Sequence, residues 1–103
     1  MAPEQVRANI EAEWLVLHPA YTVAREVVRQ ASRRPAYTQE GSGATKNEII
    51  DAIQREHPGR WSRMTLAKYV QAMGRLGLLR THGPSNHTRR YFPPHWKGDR
   101  RDD

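Results

Sequence analysis

Polar side chains that can donate hydrogen bonds recur along residues 62–76 at the spacing of a helix. Thr65, Lys68, Gln71 and Arg75 follow one another at intervals of three, three and four residues, and two of them are cationic. In the major groove of DNA, arginine and lysine bind guanine and glutamine binds adenine. The spacing of these four side chains therefore predicts a helix face that contacts phosphates and base edges.

The opposite face of this stretch is apolar. Leu66, Val70, Met73 and Gly77 recur at intervals of four, three and four residues, which is one side of a 3.6-residue period. Ser62 suits the N-cap of such a helix, and Gly77 suits the left-handed residue that follows its end. The sequence predicts an amphipathic helix over about 63–76 that docks on a core.

A basic segment over about 79–92 follows this helix. Residues 78–82 and 88–92 read as two strands joined by a turn, which predicts a β-hairpin. Arg89 and Arg90 alternate sides of the returning strand, so only one of them is expected to face a partner. The turn has a small polar tip that could enter a minor groove or follow a backbone, formed by Ser85, Asn86 and His87.

Several of these side chains also have a purely structural interpretation. Ser62 and Thr65 are expected either to cap the helix or to present their hydroxyl and backbone amide groups to a phosphate. Arg63 and Gln71 are the leading candidates for base contacts, and Lys68 could reach guanine or a phosphate. Arg75 is expected to contact the backbone of a nucleic acid or solvent.

Charge is distributed unevenly along the 103 residues, whose net charge is +6. Residues 1–56 hold seven Lys or Arg and eight Asp or Glu, whereas residues 57–98 hold eight Lys or Arg and no acid. An acid-free basic block favours a polyanionic partner over a merely solvated face. The basic residues of this block are Arg60, Arg63, Lys68, Arg75, Arg80, Arg89, Arg90 and Lys97.

Composition narrows the class of protein. The length predicts one domain, and no run of about 18 apolar residues predicts a membrane-spanning helix. There is no cysteine, and the first 14 residues lack the basic start and apolar run of a signal peptide. We therefore expect a protein of the cytoplasm, associated with the nucleoid, that does not bind a membrane.

Catalytic, nucleotide and metal sites are not expected. The segment from Gly41 to Asn47 resembles a phosphate-binding loop only superficially, because Lys46 occupies the position of its second glycine. No serine or acid has the context of a catalytic triad, so an enzyme is not predicted. Five histidines lack a two-ligand helical spacing and a cysteine partner, so we expect neither a metal nor a cofactor: His18, His57, His82, His87 and His95.

Three further helices are predicted upstream. The first covers about 3–17 and the second about 19–33, where Val23, Val27 and Ala31 are expected to face inward. The third begins at a Thr45–Glu48 capping box and ends near residue 56. A short strand is possible at 36–38.

The helix and the basic hairpin together resemble the recognition helix and wing of bacterial and archaeal winged helix-turn-helix regulators. The residues that carry the resemblance are Thr65-Leu66-x-x-x-Val70-x-x-Met73-x-x-Leu76-Gly77-Leu78-Leu79 and the end of the hairpin, Arg89-Arg90-Tyr91-Phe92. The resemblance covers roughly 45–93. It implies a mainly α fold with a small β-hairpin, here with an additional N-terminal helix. It also implies that the helix over 63–76 enters the major groove and the wing lies over a neighbouring groove or backbone.

The sequence thus predicts an accessory helix in residues 1–18, a winged domain in 19–96 and a polar tail in 97–103. The expected function is sequence-specific binding of double-stranded DNA, as a transcriptional regulator that dimerises through the N-terminal helix. Two alternatives stay open: a DNA-binding component of plasmid or phage replication, partition or recombination, and a protein-interaction module. RNA binding is disfavoured because no exposed aromatic platform is evident.

Overall fold

The computed structural model describes residues 3–34, 42–83 and 89–94. Within these ranges the chain is mainly helical and carries one small antiparallel hairpin. The elements in chain order are α1 (Pro3–Leu17), α2 (Pro19–Ala31), α3 (Lys46–Glu56), α4 (Arg63–Arg75), β1 (Arg80–His82) and β2 (Arg90–Phe92). The predicted strand at 36–38 and the polar tail lie outside the described residues.

The caps of α3 and α4 form as the sequence predicts. Thr45 Oγ1 accepts from the backbone amide of Glu48 at 3.1 Å, and the Glu48 carboxylate accepts from the amide of Thr45 at 2.9 Å. Ser62 Oγ accepts from the amide of Thr65 at 3.1 Å. Residues 57–62 join the two helices, so the order helix, turn, helix is present.

The end of α4 is a Schellman motif. Gly77 has a φ of +80°, its amide donates to Gly74, and the amide of Leu78 donates to the Met73 carbonyl at 2.9 Å. The amide of Leu79 donates to that carbonyl as well, at 3.1 Å. Because these two amides are used by the helix end, the first strand begins at Arg80 and not at residue 78 as predicted.

The buried face of α2 matches the predicted one at Ala31 but differs from it at the two valines. Ala20, Tyr21, Ala24, Val28 and Ala31 are buried, whereas the valines at 23 and 27 are only half-buried. Small alanine side chains let α3 pack closely, and α2 makes its most extensive contact with that helix. The α2 helix also ends at residue 31, two residues before the predicted end, since the amides of Arg33 and Arg34 bond three residues back and not four.

The hairpin is completed by a residue that precedes α3. In the β1–β2 ladder Thr81 is opposite Tyr91, and on the other edge of β2 the backbone of Tyr91 pairs with that of Ala44. The Ala44 amide donates to the Tyr91 carbonyl at 3.0 Å, and the Tyr91 amide donates back at 2.7 Å. This single-residue bridge ties the hairpin to the start of α3.

The N-terminal helix packs on its own chain. Ile10 and Trp14 lie against the core, and Glu11 accepts a hydrogen bond from the Tyr21 hydroxyl at 3.0 Å. Burial and this carboxylate both raise the pKa of Tyr21. Val6, on the same helix, is 41% exposed. Within the described residues, no helix is both long and apolar enough to cross a membrane.

Candidate nucleic-acid interface

The outer face of α4, defined by Met64, Lys68, Gln71 and Arg75, points away from the core. These four side chains recur at intervals of four, three and four residues, opposite the buried Leu66, Val70 and Met73, and all four are exposed. Within the described part of the chain, neither cation of this face forms an ion pair. The face therefore offers two positive charges and one amide to a partner.

Met64 is the member of this face that the sequence prediction omits. Its side chain is 73% exposed, against 41% for Val6 and 39% for Leu76. The signal was its position, four residues before Lys68 and seven before Gln71. An apolar side chain at this point can contact the methyl group of thymine, which is a recognised mode of base readout.

The hydroxyls at the start of α4 are engaged in capping. Besides accepting from the Thr65 amide, Ser62 Oγ donates to Thr65 Oγ1 at 3.0 Å. The capping interpretation of both residues is thus realised in the structure. Their predicted contact with a phosphate remains a prediction.

Arg63, a leading candidate for base contacts, does not extend along the outer face of α4. Its Nη1 donates to Asp51 Oδ1 at 2.6 Å and to Gln54 Oε1 at 2.9 Å, both on α3. This contact could not be foreseen from α4 alone, because the acid is 12 residues away. The pair is half-exposed and links α3 to α4.

An open groove of about 390 Å³ separates α4 from the hairpin. Gln71 and Arg75 approach it from the helix, and Arg89 approaches from the chain just before β2. Two guanidinium groups that line one groove can bind a phosphate there, because each offers several N–H donors. The remaining lining residues are Gly74, Thr81 and Tyr91.

The floor of this groove depends on a glycine within α4. A Cβ at Gly74 would lie 3.1 Å from Thr81 Cγ2 and 3.6 Å from a ring carbon of Tyr91. The absence of a side chain thus lets the hairpin approach the helix.

Burial raises the pKa of Tyr91, although the neighbouring Arg89 guanidinium opposes that rise.

The two arginines of the hairpin have different environments, as strand alternation predicts. Arg89 lines the groove beside α4, whereas Arg90 Nη1 donates to the Gly43 carbonyl at 3.2 Å. Arg34 Nη2 donates to the same carbonyl at 2.6 Å, and Arg34 also binds the Glu48 carboxylate. Arg90 therefore belongs to the link between hairpin and α3.

The Glu48 carboxylate accepts hydrogen bonds from both Arg34 and the amide of Thr45. Partial burial tends to raise its pKa, yet the hydrogen bonds from Arg34 and Thr45 outweigh burial and hold the pKa below its usual value of 4.5. Its negative charge thus stabilises both the capping box and the end of α2.

Arg60 lies beside the interface, stacked on an aromatic cluster. Its guanidinium carbon is 4.7 Å from the centre of the Trp61 ring. Trp61 contacts Tyr69, which in turn contacts His18, with ring centres 6.2 and 5.9 Å apart. These rings are half-buried and pack edge to face, so they help to pack α4 against α1 and α2.

The predicted hairpin tip of Ser85, Asn86 and His87 lies outside the described residues, so its position relative to α4 stays a prediction. Across the ranges that are described, no three His, Asp or Glu side chains are grouped as metal ligands would be. Comparison of the chain with models of protein families, with curated proteins and with solved structures finds no match.

Proposed function

We propose that this protein binds double-stranded DNA in a sequence-specific manner, as a winged helix-turn-helix transcriptional regulator of the cytoplasm and nucleoid. The proposal rests above all on the outer face of α4, whose exposed Lys68, Gln71 and Arg75 lie in an acid-free part of the chain. A second support is the groove between helix and hairpin, which Arg75 and Arg89 both line.

In this proposal the helix reads bases and the groove holds the backbone. Gln71 binds adenine through its amide, Lys68 binds guanine or a phosphate, and Met64 packs on a thymine methyl group. Arg75 and Arg89 neutralise a phosphate that lies in the groove. If four to six phosphates are neutralised in total, log affinity should fall against log salt with a slope of roughly −3.6 to −5.4.

Arg63 would act on DNA only after leaving Asp51. Since both side chains are about half-exposed, 48% and 60%, the ion pair is weak enough to exchange for a phosphate. Arg60 would contribute to the backbone contacts through its position at the turn before α4.

Selection of bound sequences from random duplex DNA tests this proposal. The wild type should enrich a short motif, and Gln71→Ala should lose preference at one or two positions of that motif. Arg55→Gln, an exposed change on α3 away from α4, is the matched control and should leave the motif unchanged. No enrichment at low salt by the wild type would reject the proposal.

A protein-interaction module is the second candidate, and the exposure of Met64 is the observation that favours it. Such modules usually present an apolar helix face, but Met64 is surrounded here by Lys68, Gln71 and Arg75. A module would be indicated if duplex DNA failed to bind at low salt. A role in replication, partition or recombination uses the same interface and would be separated from regulation by where the bound sites lie relative to promoters.

Dimerisation through α1 also stays a prediction. The apolar stripe on which it rests includes Ile10 and Trp14, and both pack against the core of their own chain. This packing leaves Val6, at 41% exposed, as the described part of that stripe open to a second copy.

A further inference from the structure

A second concave surface lies between α1, α2 and the residues that follow β2. It encloses about 260 Å³, and none of its described lining residues belongs to the groove beside α4. Arg7 and Glu11 are four residues apart on α1, and Arg25 and Arg29 are four apart on α2, so each pair shares one face of its helix. Because three of its side chains are arginines, this surface is called the arginine cleft here.

The arginine cleft carries one positive charge in excess of the described carboxylates around it. Glu26 accepts from Arg29 Nη2 at 2.6 and 2.7 Å, so this pair is neutral. Arg7 and Arg25 then share the single carboxylate of Glu11. A ligand with one negative charge would complete the balance.

The ion pairs of Arg7 and Arg25 are too long to be hydrogen bonds. Arg7 Nη1 and Arg25 Nε each approach an oxygen of Glu11 to 3.9 Å, whereas an N–H donor and its oxygen acceptor are normally about 2.7–3.2 Å apart. Glu11 instead accepts from the hydroxyl of the buried Tyr21 at 3.0 Å. The two arginine side chains are 40% and 54% exposed, so their N–H groups are accessible to a ligand.

The rest of the lining is apolar. Val28 of α2 is buried, and Pro93 and Pro94, which follow β2, are half-buried. Proline has no amide N–H, so these residues offer carbon surface and no backbone donor. The volume lies just below the roughly 300–1,000 Å³ of pockets for drug-sized ligands. The cleft therefore suits a small molecule that combines one anionic group with an apolar body.

We propose that the arginine cleft binds a small organic acid. Its carboxylate binds Arg7 and Arg25, because the planar fork of a guanidinium matches the two oxygens of a carboxylate. Its apolar body lies against Val28 and the two prolines. Inorganic phosphate would also satisfy the N–H donors, but it would leave this apolar surface uncovered, so a carboxylic acid is the better fit.

Calorimetric titration of the full chain without DNA, at constant ionic strength, tests the proposal. The probes are three organic acids (benzoate, phenylacetate and isovalerate), the neutral benzamide and inorganic phosphate. At least one acid should bind with a Kd of about 1 mM or lower, and benzamide should bind at least about tenfold more weakly than benzoate. No binding of any of the three acids, or binding of phosphate as tight as that of the best acid, would overturn the proposal.

Neutral variants of the arginines locate the site. Arg25→Gln should raise the Kd of the best acid by about tenfold or more, because it removes one of the two guanidinium groups. Arg33→Gln is the matched control, since it removes the same charge from an exposed position just after α2 that does not line the cleft. It should change the Kd by less than about twofold. Equal weakening in the two variants would mean that overall charge holds the acid, and would contradict the proposed site.

Glu11→Gln gives a second test, in which binding should improve. The variant keeps an oxygen that can accept from the Tyr21 hydroxyl, but it removes the charge that competes with the ligand for Arg7 and Arg25. The Kd of the best acid should fall by about two- to fivefold, the equivalent of one exposed ion pair. A Kd that rises or stays the same would contradict the proposal. Since no DNA is present, each result is independent of the proposed function.

Discussion

Two regions of this protein use their arginines differently. In residues 3–34, Arg7, Arg25, Arg29 and Arg34 each form an ion pair with a carboxylate of the same chain. Residues 57–98 contain no carboxylate, and the side chains of the outer face of α4 are exposed. Arg63 in this part of the chain does form an ion pair, because it reaches back to Asp51 of α3. In the first region, the pairs of Arg25 with Glu11 and of Arg34 with Glu48 thus join different segments, whereas the outer face of α4 leaves its charge available to a partner.

The two regions are joined where the backbone of Gly43 and Ala44 meets β2. A change at this junction should therefore damage the fold, while a change on the outer face of α4 should damage only binding.

Gly43→Ala should cause the largest loss of stability. Gly43 has a φ of +86°, and a Cβ there would lie 2.5 Å from Phe92 Cζ. Backbone strain and overpacking together should lower the free energy of unfolding by about 2–4 kcal/mol. Urea denaturation measures this change. Gly59→Ala is the matched control, because its φ is +74° but no atom lies within 4 Å, and it should lose only about 1 kcal/mol.

Gln71→Ala should change binding and leave the fold intact. Its side chain is exposed, so the free energy of unfolding should change by less than about 0.5 kcal/mol. Discrimination at the affected base pair should fall by about 1–3 kcal/mol. Titration of the selected duplex and of single-base variants measures the second quantity. An equal loss of affinity for every duplex would mean that Gln71 contacts the DNA backbone and not a base edge.

Met64→Ala tests in the same way whether Met64 contacts a base or only the DNA backbone. If Met64 packs on a thymine methyl group, replacing that thymine by uracil should weaken binding of the wild type by up to about 1 kcal/mol, the value of one buried methyl group. The same replacement should have no effect on Met64→Ala, because the contact is already lost. Equal sensitivity of both proteins to uracil would place Met64 away from the base.

Glu48→Gln should remove about 1 kcal/mol of stability at neutral pH, through the capping box and the contact with Arg34. Because the pKa of Glu48 lies below its usual value of 4.5 in the folded protein, the carboxylate stabilises the fold above that pH. This contribution is lost as the pH falls through the folded pKa. The stabilities of wild type and variant should therefore converge in acid, as measured by urea denaturation at several pH values. Glu26→Gln, which alters an exposed pair with Arg29, should show a smaller difference at neutral pH.

Asp51→Asn should have the smallest effect on stability, within about 0.5 kcal/mol, because the pair with Arg63 is half-exposed. Removing this acid also releases Arg63 beside α4, so affinity for duplex DNA should rise slightly. Glu13→Gln removes the same charge from an exposed site on α1 and should leave the affinity nearly unchanged. A loss of affinity in Asp51→Asn would mean that Arg63 acts in place and not after release.

The sequence was sufficient for the elements that depend on local signals. The Thr45–Glu48 capping box, the Ser62 cap and the glycine exit at Gly77 each involve neighbours within a few residues, and all three are confirmed. The hairpin and the four helices follow from the same kind of pattern. The specific winged helix-turn-helix assignment stays a proposal.

The features that were wrong or missed depend on contacts between distant segments. On α2 the predicted inward Ala31 is buried, but close packing with α3 places the smaller Ala20 and Ala24 deeper than the predicted valines, which are only partly buried. The Ala44–Tyr91 bridge is one residue long and has no periodicity to reveal it. The contact between Arg63 and Asp51 likewise needs the tertiary arrangement of α3 and α4.

The salt dependence of DNA affinity in two matched double variants tests the central claim most directly. The first double variant, Lys68→Ala with Arg75→Ala, removes two charges from the outer face of α4. The second, Arg25→Ala with Arg29→Ala, removes two paired charges from α2. Each lowers the net charge from +6 to +4. The first variant should make the slope of log affinity against log salt less negative by about 1.8, and the second should leave it near the wild-type value. Equal changes in the two variants, or a wild-type slope near zero, would contradict the account.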